Sequence, residues 1–171
     1  VSQSAVLTIL PSYSSGAITG GGGTICYNAI PGIMTANPTG GVSYSYQWQS
    51  SPAGCASWTD ISLATNNSYS PPALTTTTCY RVLVDATGSP DCGAQTASTN
   101  TMTVTVNPTL SQGTIGSAQT ICYNTAPAQL SFSTAPSGGN NSYTYQWQSS
   151  AAGCGGFTDI ALATSSTYTP P

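Results

Sequence analysis

The stretch Tyr46-Gln47-Trp48-Gln49-Ser50-Ser51 returns letter for letter at Tyr145-Gln146-Trp147-Gln148-Ser149-Ser150. Tyr44, Tyr46 and Trp48 share one parity, while Ser45, Gln47 and Gln49 take the other. A period of two belongs to a half-buried β-strand, where alternate side chains point to opposite faces; a helix would repeat near 3.6. The expectation is a strand with an aromatic core face, made by Tyr46 and Trp48 in one copy and by Tyr145 and Trp147 in the other.

Working outward, the duplication extends well beyond six residues. Cys26 aligns with Cys122, Cys55 with Cys154, Trp58 with Phe157 and Tyr69 with Tyr168. From Tyr44 to Pro72 against Tyr143 to Pro171, 19 of 29 positions are identical. A period near one hundred residues describes a tandem array of domains rather than a solenoid of short repeats. Met102 to Pro108 resembles Ala5 to Pro11, and similar passages follow both prolines. Residues 1–11 therefore read as the last strand of a preceding module, 12–108 as a complete module and 109–171 as the N-terminal part of a following one. On this reading the sequence is a window on a longer polymer. The rival is that a neighbouring chain supplies the missing strands.

Within 12–108, strands are expected at Thr24 to Asn28, Ile33 to Ala36, Val42 to Ser50, Ser57 to Ile61, Asn67 to Ser70, Thr78 to Asp85 and Ala97 to Val106. Pro, Gly and Asn clusters separate them, and a Gly-rich lead-in spans Gly20 to Gly23. About seven short strands with a Trp in the third are the pattern of an immunoglobulin-like sandwich, so the fold class is all-β, disulfide-stapled and tandem. The expected inward set is Met34, Ala36, Tyr44, Tyr46, Trp48, Ile61, Tyr69, Tyr80, Val82, Val84, Met102, Val104 and Val106.

Composition narrows the function. Arg81 is the single cation; the acids are Asp60, Asp85, Asp91 and Asp159; Lys, His and Glu are absent. One cation gives no basic patch for phosphates or anionic lipid, which excludes nucleic acid and anionic membrane surfaces. No apolar run long enough to span a bilayer occurs, so no membrane insertion is expected. Ser and Thr make up 52 of the 171 residues, so hydroxyls rather than charges carry solubility. Nucleophile–base or acid–base chemistry lacks its partners, and the chain is not expected to be an enzyme.

Six cysteines without histidine, and without a Cys-x-x-Cys pair, argue against zinc and for disulfides in an oxidising, extracellular setting. If Tyr80, Val82 and Val84 face inward, Cys79 faces outward, which disfavours a Cys26–Cys79 bridge across the core. The first strand begins at the end of the sandwich where Cys92 lies, and the loop carrying Cys55 lies at the other end, where the strand of Cys79 starts. The expected pairs are Cys26–Cys92 and Cys55–Cys79, with partners for Cys122 and Cys154 beyond Pro171.

Trp58, with the nearby tyrosines, is the candidate glycan contact. Asn66-Asn67-Ser68 and Asn140-Asn141-Ser142 match the N-glycosylation pattern, making Asn66 and Asn140 candidate acceptors, and Thr75 to Thr78 is a candidate for O-linked sugar. Single scattered carboxylates do not make a calcium site, so Asp60 and Asp159 are expected to close turns. Arg81 is expected to pair with Asp60 or Asp85. No cofactor or metal is expected.

The succession Thr-Ile-Cys-Tyr-Asn, Tyr-Gln-Trp-Gln-Ser-Ser, Trp-Thr-Asp-Ile, Thr-Thr-Cys-Tyr-Arg-Val and Thr-Val-Thr-Val resembles the immunoglobulin-like tandem repeats of giant cell-surface proteins of Bacteroidota. The resemblance covers Ser12 to Val106 and the partial copy to Pro171; the extra Cys55 and Cys79 and the scarcity of charge depart from it. It implies type IX secretion to the cell surface and roles in adhesion, gliding or filament formation. The expected function is a structural repeat of an extracellular filament or giant adhesin. Its partners would be neighbouring modules of the same chain, further copies in lateral or end-to-end association, and a glycan or surface ligand. The alternative is a carbohydrate-binding accessory module of a secreted protein.

Overall fold

The computed structural model describes residues 12–40, 43–87, 95–116 and 118–171. The chain divides into two compact units, Val1–Pro108 and Thr109–Pro171. The expected strand of a preceding module, residues 1–11, lies outside the described residues.

Unit 1 is a two-sheet, all-β sandwich. Its strands are β1 (Ile18–Thr19), β2 (Gly23–Ile25), β3 (Met34–Ala36), β4 (Ser43–Pro52), β5 (Thr59–Asp60), β6 (Ser68–Tyr69), β7 (Thr78–Thr87), β8 (Gln95–Ser98) and β9 (Met102–Val106). One sheet has the order β1-β3-β6; the other runs β2-β9-β7-β4-β5, with β8 also on β7. The central pair is β4 with β7, antiparallel over ten positions, in a register that sets Tyr46 opposite Val84 and Trp48 opposite Val82. Both strands alternate apolar and polar residues, so this register turns one apolar face of each toward the smaller sheet.

The core comprises Ile18, Met34, Ala36, Trp48, Leu74, Tyr80, Val82, Val84, Val104 and Val106, with Tyr44, Tyr46, Ile61, Tyr69 and Met102 packed against it half-buried. Trp48 is fully enclosed. Its ring lies 5.7 Å from that of Tyr69, which lies 5.9 Å from that of Tyr80. The segment after β5 wraps the indole: Trp48 N donates to Ala64 O at 3.0 Å, Ile61 N donates to Trp48 O at 2.9 Å, and Trp48 Nε1 donates to Asn66 O at 2.9 Å. The last bond satisfies the only polar atom that the buried side chain brings inside.

Two elements differ from the sequence expectation. The strand expected over Ala97 to Val106 is two strands, because β8 pairs with the far part of β7, at Leu83 to Ala86, and β9 with its start, at Thr78 to Tyr80. Between them Thr99 is buried: its N donates to Val82 O at 3.0 Å and its Oγ1 accepts from Val82 N at 3.2 Å, replacing the ladder where it breaks. The Gly-rich lead-in is the crossing from one sheet to the other. β1 pairs antiparallel with β3, and β2 pairs parallel with β9. Gly21 holds φ at 69°, and a Cβ there would sit 2.5 Å from Met34 Cγ; a Cβ on Gly22 would collide with Met102 Sδ. The crossing therefore needs residues without side chains.

Unit 2 contains β10 (Thr114–Ile115), β11 (Phe132–Thr134), β12 (Gln148–Ser149) and β13 (Thr158–Asp159). β10 pairs with β11 and β12 with β13. Trp147 repeats the Trp48 arrangement: Trp147 N donates to Ala163 O at 2.9 Å, Ile160 N to Trp147 O at 2.9 Å, and Trp147 Nε1 to Ser165 O at 2.9 Å. Trp147 is buried and Tyr145 half-buried.

Two outcomes follow from this packing. Trp48→Ala leaves a cavity under β7 and removes the donor to Asn66 O, and should lower unfolding free energy by about 3–5 kcal/mol in denaturant titrations. At the alkaline end, burial, with a smaller contribution from Tyr69, pushes the Tyr80 hydroxyl up to about 12. The unfolded phenol loses its proton near about 10. The stabilisation from a neutral buried Tyr80 is thus full below that value and is lost as pH rises from about 10 to 12. Chemical denaturation across that window should show a falling midpoint, and Tyr80→Phe should flatten the fall.

Candidate functional site

The outward face of the larger sheet of unit 1 collects the remaining polar and sulfur chemistry. Register places Arg81 of β7 opposite Gln49 of β4, and Gln49 opposite Asp60 of β5. Arg81 Nε donates to Gln49 Oε1 at 2.7 Å, and Gln49 Nε2 donates to Asp60 Oδ1 at 2.7 Å. The guanidinium carbon lies 4.4 Å from the centroid of the Trp58 ring, within cation–π range. The direct Arg81 pairing with Asp60 or Asp85 expected from the sequence is replaced by a relay through Gln49, because β4 runs between the two charged strands. Gln49 shares its parity with the solvent-side residues and is nonetheless buried under this row.

Two positions along the ladder, Cys79 faces Ser51 on β4 and Thr103 on β9. Cys55 reaches over from the turn after β4 and bridges Cys79, with the Cα atoms 5.5 Å apart. Cys79 points outward as its parity requires, yet it is buried, because the 52–58 turn lies over it. Ser51 Oγ accepts from Ser57 N at 3.1 Å and holds that turn in place. Both sulfurs lie beside Thr103 Oγ1, at 3.9 and 3.8 Å. A buried disulfide belongs to an oxidising environment.

The Cys26–Cys92 expectation placed Cys26 at the end of the sandwich where the chain enters. In the structure the run from Tyr13 to Ile25 crosses the length of the unit. Tyr13 Oη donates to Val84 O at 2.7 Å, whereas Ile25 pairs with Val106 and accepts from Asn107 N at 2.9 Å. Cys26 thus follows at the end where β7 starts, away from Thr87 and Gln95. Cys26 is exposed and unbridged; Cys92 and Asp91 lie outside the described residues. Cys122 and Cys154 are also exposed and unbridged.

Trp58 is half-buried, and Arg81 covers one of its faces. Phe157 at the matching place is 55% exposed. Tyr44 and Tyr46 pack on the core rather than beside Trp58, so among the described residues no aromatic row forms on this face. Asn66 and Asn140 are exposed. The Asn66 carbonyl is committed to Trp48, and Asn140 Oδ1 accepts from Ser142 N at 3.0 Å in an Asx turn. In the Thr75 to Thr78 run, Thr77 Oγ1 accepts from Val106 N at 3.1 Å and Thr78 Oγ1 donates to Thr76 O at 3.0 Å.

Asp159 accepts from Gln148 Nε2 at 2.8 Å, as Asp60 does from Gln49, so both carboxylates hold a neighbouring strand rather than close a turn on their own. Among the described residues no group of three or more His, Cys, Asp or Glu side chains could hold a metal ion. Among them, too, no helix is long and apolar enough to cross a membrane.

Sequence reasoning did not single out Leu63 and Leu162. Both sit at φ 61°, the left-handed region, and are 92% and 96% exposed. Nothing in the composition of Ala-Thr-flanked loops signals this; only the identical place in two copies does. Asn28 and Asn124, at φ 61°, and Cys55 and Cys154, at φ 54°, repeat in the same way.

Closing 24 residues of sequence, the Cys55–Cys79 bridge should stabilise unit 1 by roughly 3–4 kcal/mol in the chain-entropy account. The double change Cys55→Ser with Cys79→Ser should lower the guanidinium midpoint accordingly. Cys26→Ser, at an exposed position, should stay within about 0.5 kcal/mol of the parent.

No curated protein and no solved structure matches the chain. One family model, described as "Domain of unknown function (DUF8696)", matches residues 14–108 and again residues 111–171. Two matches over most of the sequence, one on each repeat, show that the chain belongs to this DUF8696 family and carries its domain twice.

Proposed function

We propose that the chain is a structural repeat of an extracellular bacterial surface filament or giant adhesin, of the type found in Bacteroidota, whose task is reach and mechanical cohesion. The observation that carries this reading is the parallel pairing of β2 with β9, Gly23↔Val104, Thr24↔Thr105 and Ile25↔Val106. Among the described residues of unit 1, Tyr13 lies beside Val84 and Asn107 beside Ile25, at opposite ends of the sandwich. Tension between these points then pulls β2 and β9 past one another. Bonds perpendicular to the pull share it in shear instead of opening one at a time.

Other features agree. The two-sheet, all-β architecture agrees with an immunoglobulin-like sandwich. The Cys55–Cys79 bridge ties the turn after β4 to the start of β7, so the segment it closes stays short under load. With one cation and four acids there is little repulsion between neighbouring stalks, which favours lateral association of copies at the cell surface. The carbohydrate-binding alternative has less support, since Arg81 occupies one face of Trp58.

Single-molecule pulling through the chain termini tests the mechanical reading. Unit 1 should resist at a distinct force, and Thr24→Pro, which disturbs the β2–β9 pairing, should lower that force with a much smaller effect on denaturant stability. Reduction should lengthen the unfolding step by roughly 80 Å, the extended reach of the 24 residues released. Images of the native particle should show a thin fibre with an axial repeat of one module; a compact glycan-binding monomer would sink the proposal.

A further inference from the structure

Leu63 is held in a conformation that its own side chain opposes. Ala64 N donates to Ile61 O at 3.2 Å and Thr65 N to Leu63 O at 3.1 Å, so Ile61 to Ala64 is a tight turn with Leu63 as its third residue, at φ 61°. A positive φ at that position ordinarily calls for Gly or Asn, and a bulky residue there is an outlier. Packing does not offset it: Leu63 is 92% exposed, and the bonds of the turn are made by backbone that any residue supplies. The same turn recurs at Ile160 to Ala163, with bonds of 3.1 and 3.0 Å and Leu162 at φ 61°. Backbone outliers that persist on a firm frame mark functional positions. The frame here is firm, because Ile61 N and Ala64 O are both bonded to Trp48 at the centre of the core. Leu63 therefore stands as an apolar tip on a rigid base, flanked by the exposed, uncharged Ser62 and Thr65.

The opposite edge of the same sandwich indicates what covers it. Sheet order puts β5 and β6 at one edge of unit 1 and β1 and β2 at the other. Each edge is spanned by a crossing between the sheets: Ile61 to Asn67, with Leu63, at the first, and Gly20 to Gly22 at the second. At the second crossing Gly22 lies on the half-buried Met102 side chain and Gly20 on the carbonyl of Ile33, which is 62% exposed. The two crossings stand at nearly one height. The Leu63 turn hangs on Trp48, opposite Val82, and Met102 lies opposite Tyr80, two residues along β7, or about 7 Å. A second copy moved sideways in the same orientation thus brings its Leu63 to the apolar edge at Ile33 and Met102. Charge does not oppose this approach, since the net charge is −3 over 171 residues and Arg81 is engaged by Gln49 and Trp58.

We propose that Leu63 anchors a side-to-side contact between copies of this chain, seated against Ile33 and Met102 of the neighbour. The inference rests on the structural-repeat reading and names the contact behind lateral association. Two different edges meet, so each copy gives one and receives one, and association is open-ended. Leu162 offers the same anchor. Unit 2 has Gln129 in the place of Ile33, ahead of Leu130, which pairs with Tyr168 as Met34 does with Tyr69, so of the two units it is unit 1 that carries both halves.

The test follows self-association of the full 171-residue chain by sedimentation velocity at rising concentration, with a photo-crosslinking residue in place of Ser62. The chain should form a ladder of species, and crosslinks should map beside Ile33 or Met102 of a second copy. In a Leu162→Gly background, Leu63→Gly should weaken association at least about tenfold, as loss of a buried aliphatic contact requires. The same change should raise the denaturant midpoint of unit 1, because Gly fits φ 61° where Leu does not. Opposite signs separate an anchor from a packing residue. Ile33→Asp in that background should also abolish association, and mixing it with Leu63→Asp should restore dimers and nothing larger. A monomer at every concentration, association unchanged by Leu63→Gly, a lowered midpoint, or crosslinks to another surface would each overturn the proposal. A monomer that still resists pulling would do so while leaving the structural-repeat reading intact.

Discussion

The indole of Trp48, enclosed between two sheets and bonded to the loop that follows β5, is the interaction on which the sandwich depends. Its ring supplies the largest apolar area in the core, and its backbone and Nε1 atoms fix Ile61, Ala64 and Asn66 around it. That loop in turn delivers β6 to the opposite sheet, where Tyr69 stacks on the same indole and pairs through Met34. One side chain therefore sets the spacing of the sheets and the path between them. Because Trp147 does the same in unit 2 with distances that agree within 0.1 Å, the arrangement is local: it forms from about 25 residues around the Trp.

The outer face follows a different logic. With so few charges, the molecule spends its cation on a shared row, Arg81–Gln49–Asp60, in which an amide carries the attraction between guanidinium and carboxylate across an intervening strand. Gln49 is buried and Arg81 half-buried against Trp58, while Asp60 stays exposed, so the row is shielded at its guanidinium end only and its carboxylate end is screened as an exposed ion pair is. Beside it the Cys55–Cys79 bridge closes the turn over β7. Together they tie β4, β5 and β7 to one another across the outer face.

Much of this was legible in the residues. Alternation at Tyr44 to Gln49 named the core strand, and alternation at Tyr80 to Val84 named a second inward-facing strand, because burial of one face forces a period of two; that the two pair came from the structure. Outward parity at Cys79 led to Cys55, and the bridge is present. Ile18 and Leu74 escaped notice: each is a single apolar residue in a short segment, where no period can be counted. The break between β8 and β9 was hidden because Thr99, Asn100 and Thr101 look like ordinary strand residues. Only the buried Oγ1 of Thr99 on Val82 N reveals that a hydroxyl stands in for the ladder.

By itself the sequence determined the all-β class, the duplication, the aromatic strand at its centre and the sparse chemistry, because these depend on composition and on side-chain periodicity along one segment. Tertiary structure alone decided that Gly20 to Gly23 carries the chain from sheet to sheet, that Cys26 follows at the end of the sandwich where β7 starts, and that Arg81 reaches Asp60 through Gln49. Each of these is a relation between strands distant in sequence. Local pattern fixes which way a side chain points, whereas strand order and register decide what it meets there.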